Sequence, residues 1–228
     1  TENNSGASLN YFIKEQPKKI WTFDSNVGRL FTAPVIYQGK ILILGSSGKL
    51  KCLDLVTKKV NWEFSVFPVN ENYTPLITGG LAFDKNGNVY VASSMGEILS
   101  ISIDHGILNW RYNLGAPVTD RPVVFGNNIF VIDSNSVSRS ISVDGKLNWS
   151  IPGVPYNQIY AKTGEPIWAG DLILVPSPSG SLLAVDSASG VKQWEYEFTV
   201  SRAGYTRNSF GFFNGTPVVS DATVYFGS

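Results

Sequence analysis

Cysteine, histidine and methionine each occur once in this chain of 228 residues. With Cys52 alone there is no intrachain disulfide to staple the fold. With His105 as its sole companion, no His/Cys cluster can assemble a zinc site. Charge is scarce at 16% of residues, and 18 basic side chains balance 18 acidic ones. That balance removes the electrostatic case for nucleic acid or an anionic membrane surface as a partner. No apolar run approaches the roughly 18 residues a transmembrane helix needs. No signal-peptide pattern stands among these residues, and no amphipathic stretch of ten or more residues supports a helix.

What is plentiful is aromatic or turn-forming: 13% aromatics, with 22 glycines and 12 prolines. Trp21, Trp62, Trp110, Trp149 and Trp194 stand 41, 48, 39 and 45 residues apart. Self-similarity at roughly 40–45 residues is the signature of an all-β fold, a β-propeller with one four-stranded blade per repeat. Each unit opens on proline and two apolar residues: Pro34-Val35-Ile36, Pro75-Leu76-Ile77, Pro122-Val123-Val124, Pro166-Ile167-Trp168 and Pro217-Val218-Val219. A β-branched run follows, such as Lys40-Ile41-Leu42-Ile43-Leu44. A third strand then ends in aspartate, over 50–54, 98–104, 140–144 and 182–186. The tryptophan strand comes last. Proline is tolerated at the first residue of a strand. Continuous apolar runs suit strands covered on both faces by neighbouring blades.

Residues 8–23 repeat the spacing of a third and fourth strand, and 215–228 repeat a first and second. The expectation is one propeller domain over 8–228 behind a flexible lead-in at 1–7. Its blades would span 31–64, 73–112, 117–150, 161–198, and 215–228 joined to 8–23. Closing a five-blade ring this way removes an exposed sheet edge. A piece of a larger ring is the alternative.

Asp186 to Trp194 reads Asp-x-x-x-Gly-x-x-x-Trp with Gly190 in the middle. Asp54 to Trp62 matches except for Lys58 at the glycine; Asp104-His105-Gly106 and Asp144-Gly145 keep glycine four before tryptophan. The pattern resembles the tryptophan-docking motif of the PQQ-like (quinoprotein-type) propeller superfamily. That family includes quinoprotein alcohol dehydrogenases and BamB-like bacterial outer-membrane assembly lipoproteins. The resemblance implies a structural role for all five tryptophans and for Asp54, Asp186 and Gly190. Burying one such ring contributes about 2–3 kcal/mol. It also implies an exported protein (periplasmic, outer-membrane-associated or extracellular) that works through protein partners.

A quinoprotein enzyme would need a calcium-held cofactor, a catalytic carboxylate and a vicinal disulfide, and lone Cys52 removes the last. No catalytic residue, metal or cofactor is assigned. Cys52 reads as a small buried apolar residue and His105 as a solvated turn residue. A carbohydrate-binding or glycosidase propeller is the alternative, with an acid pair drawn from Asp120, Glu165 and Asp221. The repeat is broken in two long loops on one face. One, 151–165, carries Tyr156, Tyr160, Lys162 and Glu165; the other, 199–215, carries Arg202, Tyr205, Arg207, Asn208 and Phe210. Trp168 would line the funnel beneath them. Aromatic and arginine side chains crowded on extended loops have the composition of a protein interface, and insertions on one face of a repeat fold mark where it binds. The same aromatics could instead plug the ring and pack the loops on each other.

Overall fold

The computed structural model describes residues 16, 18–30, 32–67, 79–118, 120–153, 165–177, 181–197, 199–200, 209–210, 216–221 and 223–225. Among these there is no helix. Four antiparallel sheets follow one another, each a four-stranded meander. Blade 1 is β1 (Val35–Tyr37), β2 (Lys40–Leu44), β3 (Lys49–Asp54) and β4 (Val60–Ser65). Blade 2 is β5 (Leu81–Phe83), β6 (Asn88–Ala92), β7 (Glu97–Ser102) and β8 (Leu108–Asn113). Blade 3 is β9 (Val123–Phe125), β10 (Asn128–Ile132), β11 (Ser138–Ser142) and β12 (Leu147–Ile151). Blade 4 is β13 (Ile167–Ala169), β14 (Leu172–Pro176), β15 (Ser181–Asp186) and β16 (Lys192–Glu197). A short pair, β17 (Thr199–Val200) with β18 (Ser209–Phe210), follows blade 4. The inner half of a fifth blade then forms from β19 (Val218–Ser220) and β20 (Thr223–Tyr225).

The apolar core lies between blades, because successive side chains of a strand point to opposite faces. Leu42, Leu44, Leu50 and Cys52 of blade 1 pack on Val89, Val91, Leu99 and Ile101 of blade 2. Tyr90 and Ile98 of blade 2 meet Ile129, Val131 and Ile141 of blade 3. Phe130 and Trp149 of blade 3 meet Ile173, Val175 and Val185 of blade 4. Leu174, Leu182 and Ala184 carry the pattern on to Val219 and Val224 of the half-blade. This is why the second and third strands read as unbroken apolar runs.

Two details depart from the sequence reading. The tripeptide Pro75-Leu76-Ile77 lies outside the described residues, and the first strand of blade 2 is Leu81–Phe83. Gly79 and Gly80 precede it, and a Cβ on either would collide with Ala92 or Arg121. Only glycine fits so close a passage between strands. The third strands of blades 2 and 3 end at Ser102 and Ser142, two residues short of the aspartates. Ser102 aligns with Asp54 and Asp186: Lys58, Gly106 and Gly190 each donate N–H to the carbonyl of that strand-ending residue, at 2.8–2.9 Å.

A bulge recurs at one place in every blade. Trp62, Trp110, Trp149 and Trp194 pair with Cys52, Ser100, Ser140 and Ala184, and the register then skips one residue. The skipped residues are Asn61, Asn109, Asn148 and Gln193, each just before its tryptophan. An extra residue bends the strand and re-aims its neighbour. That turns each indole toward the following blade.

Candidate functional site

The joint between blades is built from that tryptophan and the next blade's turn. Trp62 Nε1 donates to the Ile103 carbonyl at 2.8 Å, Trp110 Nε1 to Val143 at 2.8 Å, and Trp149 Nε1 to Ser187 at 3.0 Å. Beneath the rings lie Gly106, Gly145 and Gly190 at φ of 67°, 83° and 73°. A Cβ at these positions would stand 2.5, 2.8 and 2.7 Å from the ring carbons. At Trp21 the corresponding turn residue is Lys58, which holds φ of 63° and sets its ammonium 5.0 Å from the ring centroid. Asp54 Oδ1 accepts from the N–H groups of Val56 and Thr57, and Asp186 Oδ1 from Ser189 N–H and hydroxyl. Those bonds hold both carboxyls below the usual carboxylate range. These aspartates shape turns.

Polar ladders cross the sheets beside the tryptophans. Asn109 Nδ2 donates to Asn88 Oδ1 and Ser100 Oγ at 2.9 and 3.2 Å. Asn148 does the same to Asn128 and Ser140 at 2.9 and 3.1 Å. In blade 1 the equivalent positions are Lys40, Cys52 and Asn61, and Lys40 reaches across to Asp104 of blade 2. Cys52 is fully buried, and burial pushes its thiol up, away from the nucleophilic thiolate. It is sealed between blades 1 and 2, where it could not flank a central cofactor. His105 is exposed in a turn. No three of His, Cys, Asp and Glu come together as a metal site among the described residues.

The connector between blades 2 and 3 lies across turns between second and third strands. Leu114 N–H bonds the Gly96 carbonyl at 2.7 Å and Val118 N–H bonds Ser93 at 3.2 Å. The same connector offers the Pro117 carbonyl to Ser134 N–H of the next blade at 2.7 Å. The buried Asp133 carboxylate stiffens that turn by accepting from Asn135 and Val137 N–H and pairing with Arg139. On the opposite face, third-strand ends bond the first turns, as in Ile103 N–H to Gly87 and Val143 N–H to Asn127, both 2.9 Å.

The candidate residues fall as follows. Tyr156, Tyr160, Lys162, Arg202, Tyr205, Arg207 and Asn208 lie outside the described residues. Phe210 belongs to β18, whose backbone pairs with Thr199. Trp168 stacks on Phe125 with centroids 3.8 Å apart and planes at 12°, and sits 6.0 Å from Phe130. This places it in the interface of blades 3 and 4. Glu165 Oε2 accepts from Arg121 Nε at 2.7 Å, and Glu165 N–H donates to Thr216 Oγ1 at 3.2 Å. Arg121, Glu165 and Thr216 each stand just before proline, so three successive inner strands are tied at their starts. Asp120 stands two residues before its proline, so Arg121 is the positional counterpart of Glu165.

Those contacts do not make an acid pair for glycoside hydrolysis. Glu165 is engaged by a guanidinium, and Asp120 is buried at 7% exposure. Asp221 lies in the turn after β19, five residues beyond Thr216, about 16 Å along the strand at roughly 3.3 Å per residue. Paired glycosidase carboxyls stand about 5–9.5 Å apart.

Blade-like four-stranded meanders locked by tryptophans on glycine turns define a propeller of the PQQ-like repeat class. The sequence profile of the family described as outer membrane protein assembly factor BamB matches residues 70–228, and the chain belongs to that family. It is 24% identical to the outer membrane protein assembly factor BamB of Moranella endobia (strain PCIT) over 224 residues, covering 93% of this chain and 57% of the relative. The protein of that name from Escherichia coli (strain K12) is 24% identical over 188 residues, covering 76% and 44%. The chain thus spans about half the length of the curated relatives it matches. Among solved structures, BamB from Moraxella catarrhalis superposes with TM-score 0.73 at 16% identity, covering 86% of this chain and 58% of that one. A europium-containing methanol dehydrogenase gives 0.61 at 15% identity, covering 78% and 43%. At these identities the likeness to solved structures speaks for the fold alone.

Proposed function

We propose that this chain is a non-catalytic protein-interaction scaffold of the bacterial envelope, acting in outer-membrane protein assembly at the periplasmic side of the outer membrane. One observation carries the reading: among the described residues, the motif side chains, Glu165 and the single thiol serve the architecture. The described tryptophans and motif aspartates hold blades and turns, Glu165 is tied to Arg121, and the single thiol is sealed. Membership of a family described as an outer membrane protein assembly factor supports the setting. The partner contact is assigned to the loops where the repeat breaks: 151–165, and the segment between β17 and β18. Tyr205 and Arg207, in the segment between β17 and β18, are the proposed aromatic and arginine anchors, the residue types that dominate protein interfaces.

The test replaces both anchors, Tyr205→Ala with Arg207→Ala, in the gene product that carries this chain. The readout is the yield of folded outer-membrane β-barrel proteins, together with co-purification of the assembly machinery. Loss of both, at unchanged melting temperature, supports the proposal. Retention of every partner overturns it.

A further inference from the structure

Blade 2 differs from the other blades in its first turn, over 84–87 between β5 and β6. Among the described first turns only this one places asparagine directly before glycine; the others read Gln38-Gly39, Gly126-Asn127, Gly170-Asp171 and Ser220-Asp221. The turn is pinned on both sides of that pair. Asp84 Oδ1 accepts from the N–H groups of Asn86 and Asn88, both at 2.9 Å. The Gly87 carbonyl accepts from Ile103 N–H at 2.9 Å. Between these anchors the Asn86–Gly87 peptide plane has no bond to another backbone group among the described residues. Its contact is with the Tyr37 hydroxyl of blade 1. Asn86 is exposed, and a Cβ on Gly87, whose φ is 83°, would meet nothing within 4 Å.

We propose that Asn86 is a site of spontaneous covalent modification, cyclising through the Gly87 nitrogen to a succinimide that opens to aspartate or isoaspartate. Gly87 N bonds Asn86 Cγ, the Cγ–Nδ2 bond breaks, and Nδ2 leaves as ammonia with the proton from Gly87. Water then opens the ring at either carbonyl. Attack needs rotation of the peptide plane about Asn86 and an unhindered nitrogen, and glycine has no side chain to block it. Asp144-Gly145 has the same following residue without that freedom. Gly145 N–H is held by the Ser142 carbonyl at 2.8 Å, and Trp110 lies over it. At Gly87 the Tyr37 hydroxyl is the brake, because it engages the attacking amide. Opening to isoaspartate lengthens the backbone by a methylene and adds a carboxylate beside Asp84, which is buried. The change reaches Ile103, whose N–H holds Gly87 and whose carbonyl accepts the Trp62 indole N–H. Modification of Asn86 is thus a one-way loosening of the joint between blades 1 and 2.

The experiment ages the full, folded chain at mildly alkaline pH, below its melting temperature. Digests are read by mass spectrometry and by enzymatic methylation of isoaspartyl carboxyls. Isoaspartate should build up at Asn86 within roughly tenfold of the rate in a free peptide of residues 81–92, and not at Asp144. Asn86→Gln should abolish the product at that position with the melting temperature unchanged. Tyr37→Phe keeps the ring that packs on Phe83 at 4.8 Å and should quicken the reaction about threefold, the worth of a weak hydrogen bond. In the aged protein the Trp62 indole N–H should exchange faster than in fresh protein, with Trp149 unchanged. Isoaspartate in the peptide but not in the folded chain overturns the proposal, because the turn then holds the plane. Equal build-up at Asp144 overturns the part given to plane freedom, and an unchanged rate in Tyr37→Phe overturns the brake. Unaltered Trp62 exchange after full modification overturns the effect on the joint.

Discussion

Gly145 lies so close beneath Trp110 that a Cβ there would stand 2.8 Å from the indole, while the Trp110 N–H reaches over it to the Val143 carbonyl at 2.8 Å. Ring, glycine and carbonyl form one joint, and the joint repeats at each filled blade boundary. Gly145→Ala therefore meets two penalties, left-handed backbone strain of about 1–2 kcal/mol and overpacking of about 1–3 kcal/mol. We expect a loss of roughly 2–4 kcal/mol by denaturant unfolding. Gly126→Ala is the control: φ is 56° but nothing lies within 4 Å. It should lose only about 1–2 kcal/mol.

Trp149→Phe and Trp194→Phe separate a buried docking ring from an exposed one. The first leaves the buried Ser187 carbonyl without its donor and should cost about 1–3 kcal/mol. The second changes a side chain 40% exposed and should stay within about 0.5 kcal/mol of wild type.

Asn148→Ala removes a side chain that bridges Asn128 and Ser140 across three strands. The buried Ser140 hydroxyl loses a partner, and roughly 1–2 kcal/mol should be lost. Because the bulge re-aims Trp149, the variant should also quicken exchange of that indole N–H.

Acid should weaken the chain through several carboxylates at once. Asp104 is held low chiefly by its hydrogen bond from Lys40, Glu63 by Lys49 and Lys51, and Asp54 and Asp186 by turn donors. A depressed folded value gives stability that is present above the ordinary carboxylate range and lost as pH falls through the folded value. Lys40 has the opposite sign: raised by Asp104, it contributes fully below its ordinary value and loses its contribution as pH rises through the folded one. The melting temperature should be flat near neutrality and drop below about pH 4. Asp104→Asn should flatten part of that drop.

The fold was legible because one residue type marks each blade at the same structural step. Tryptophan spacing carried the propeller, and proline-apolar openings placed most inner strands. Blade 2 escaped because Gly79-Gly80 replaces the expected entry and Asp84–Gly87 lengthens the first turn, which stretches the Trp62–Trp110 interval. The Asn-Trp dipeptides were visible in sequence, but a bulge is a relation between two strands, and nothing local announces it. Arg121 was passed over because its role lies in a contact 44 residues away. The loops proposed for partner contact were legible only as composition: a repeat dictates what is shared between blades, and these segments are where sharing stops.

The central claim is that the broken repeat, and not the regular blades, meets the partner. In-cell photocrosslinking tests it most directly, with a photoreactive amino acid placed at Tyr205 or, in the exposed blade 2 turn, at His105. The account predicts a discrete adduct with an outer-membrane assembly protein from position 205 and none from position 105. Adducts from position 105 with none from position 205 would contradict it.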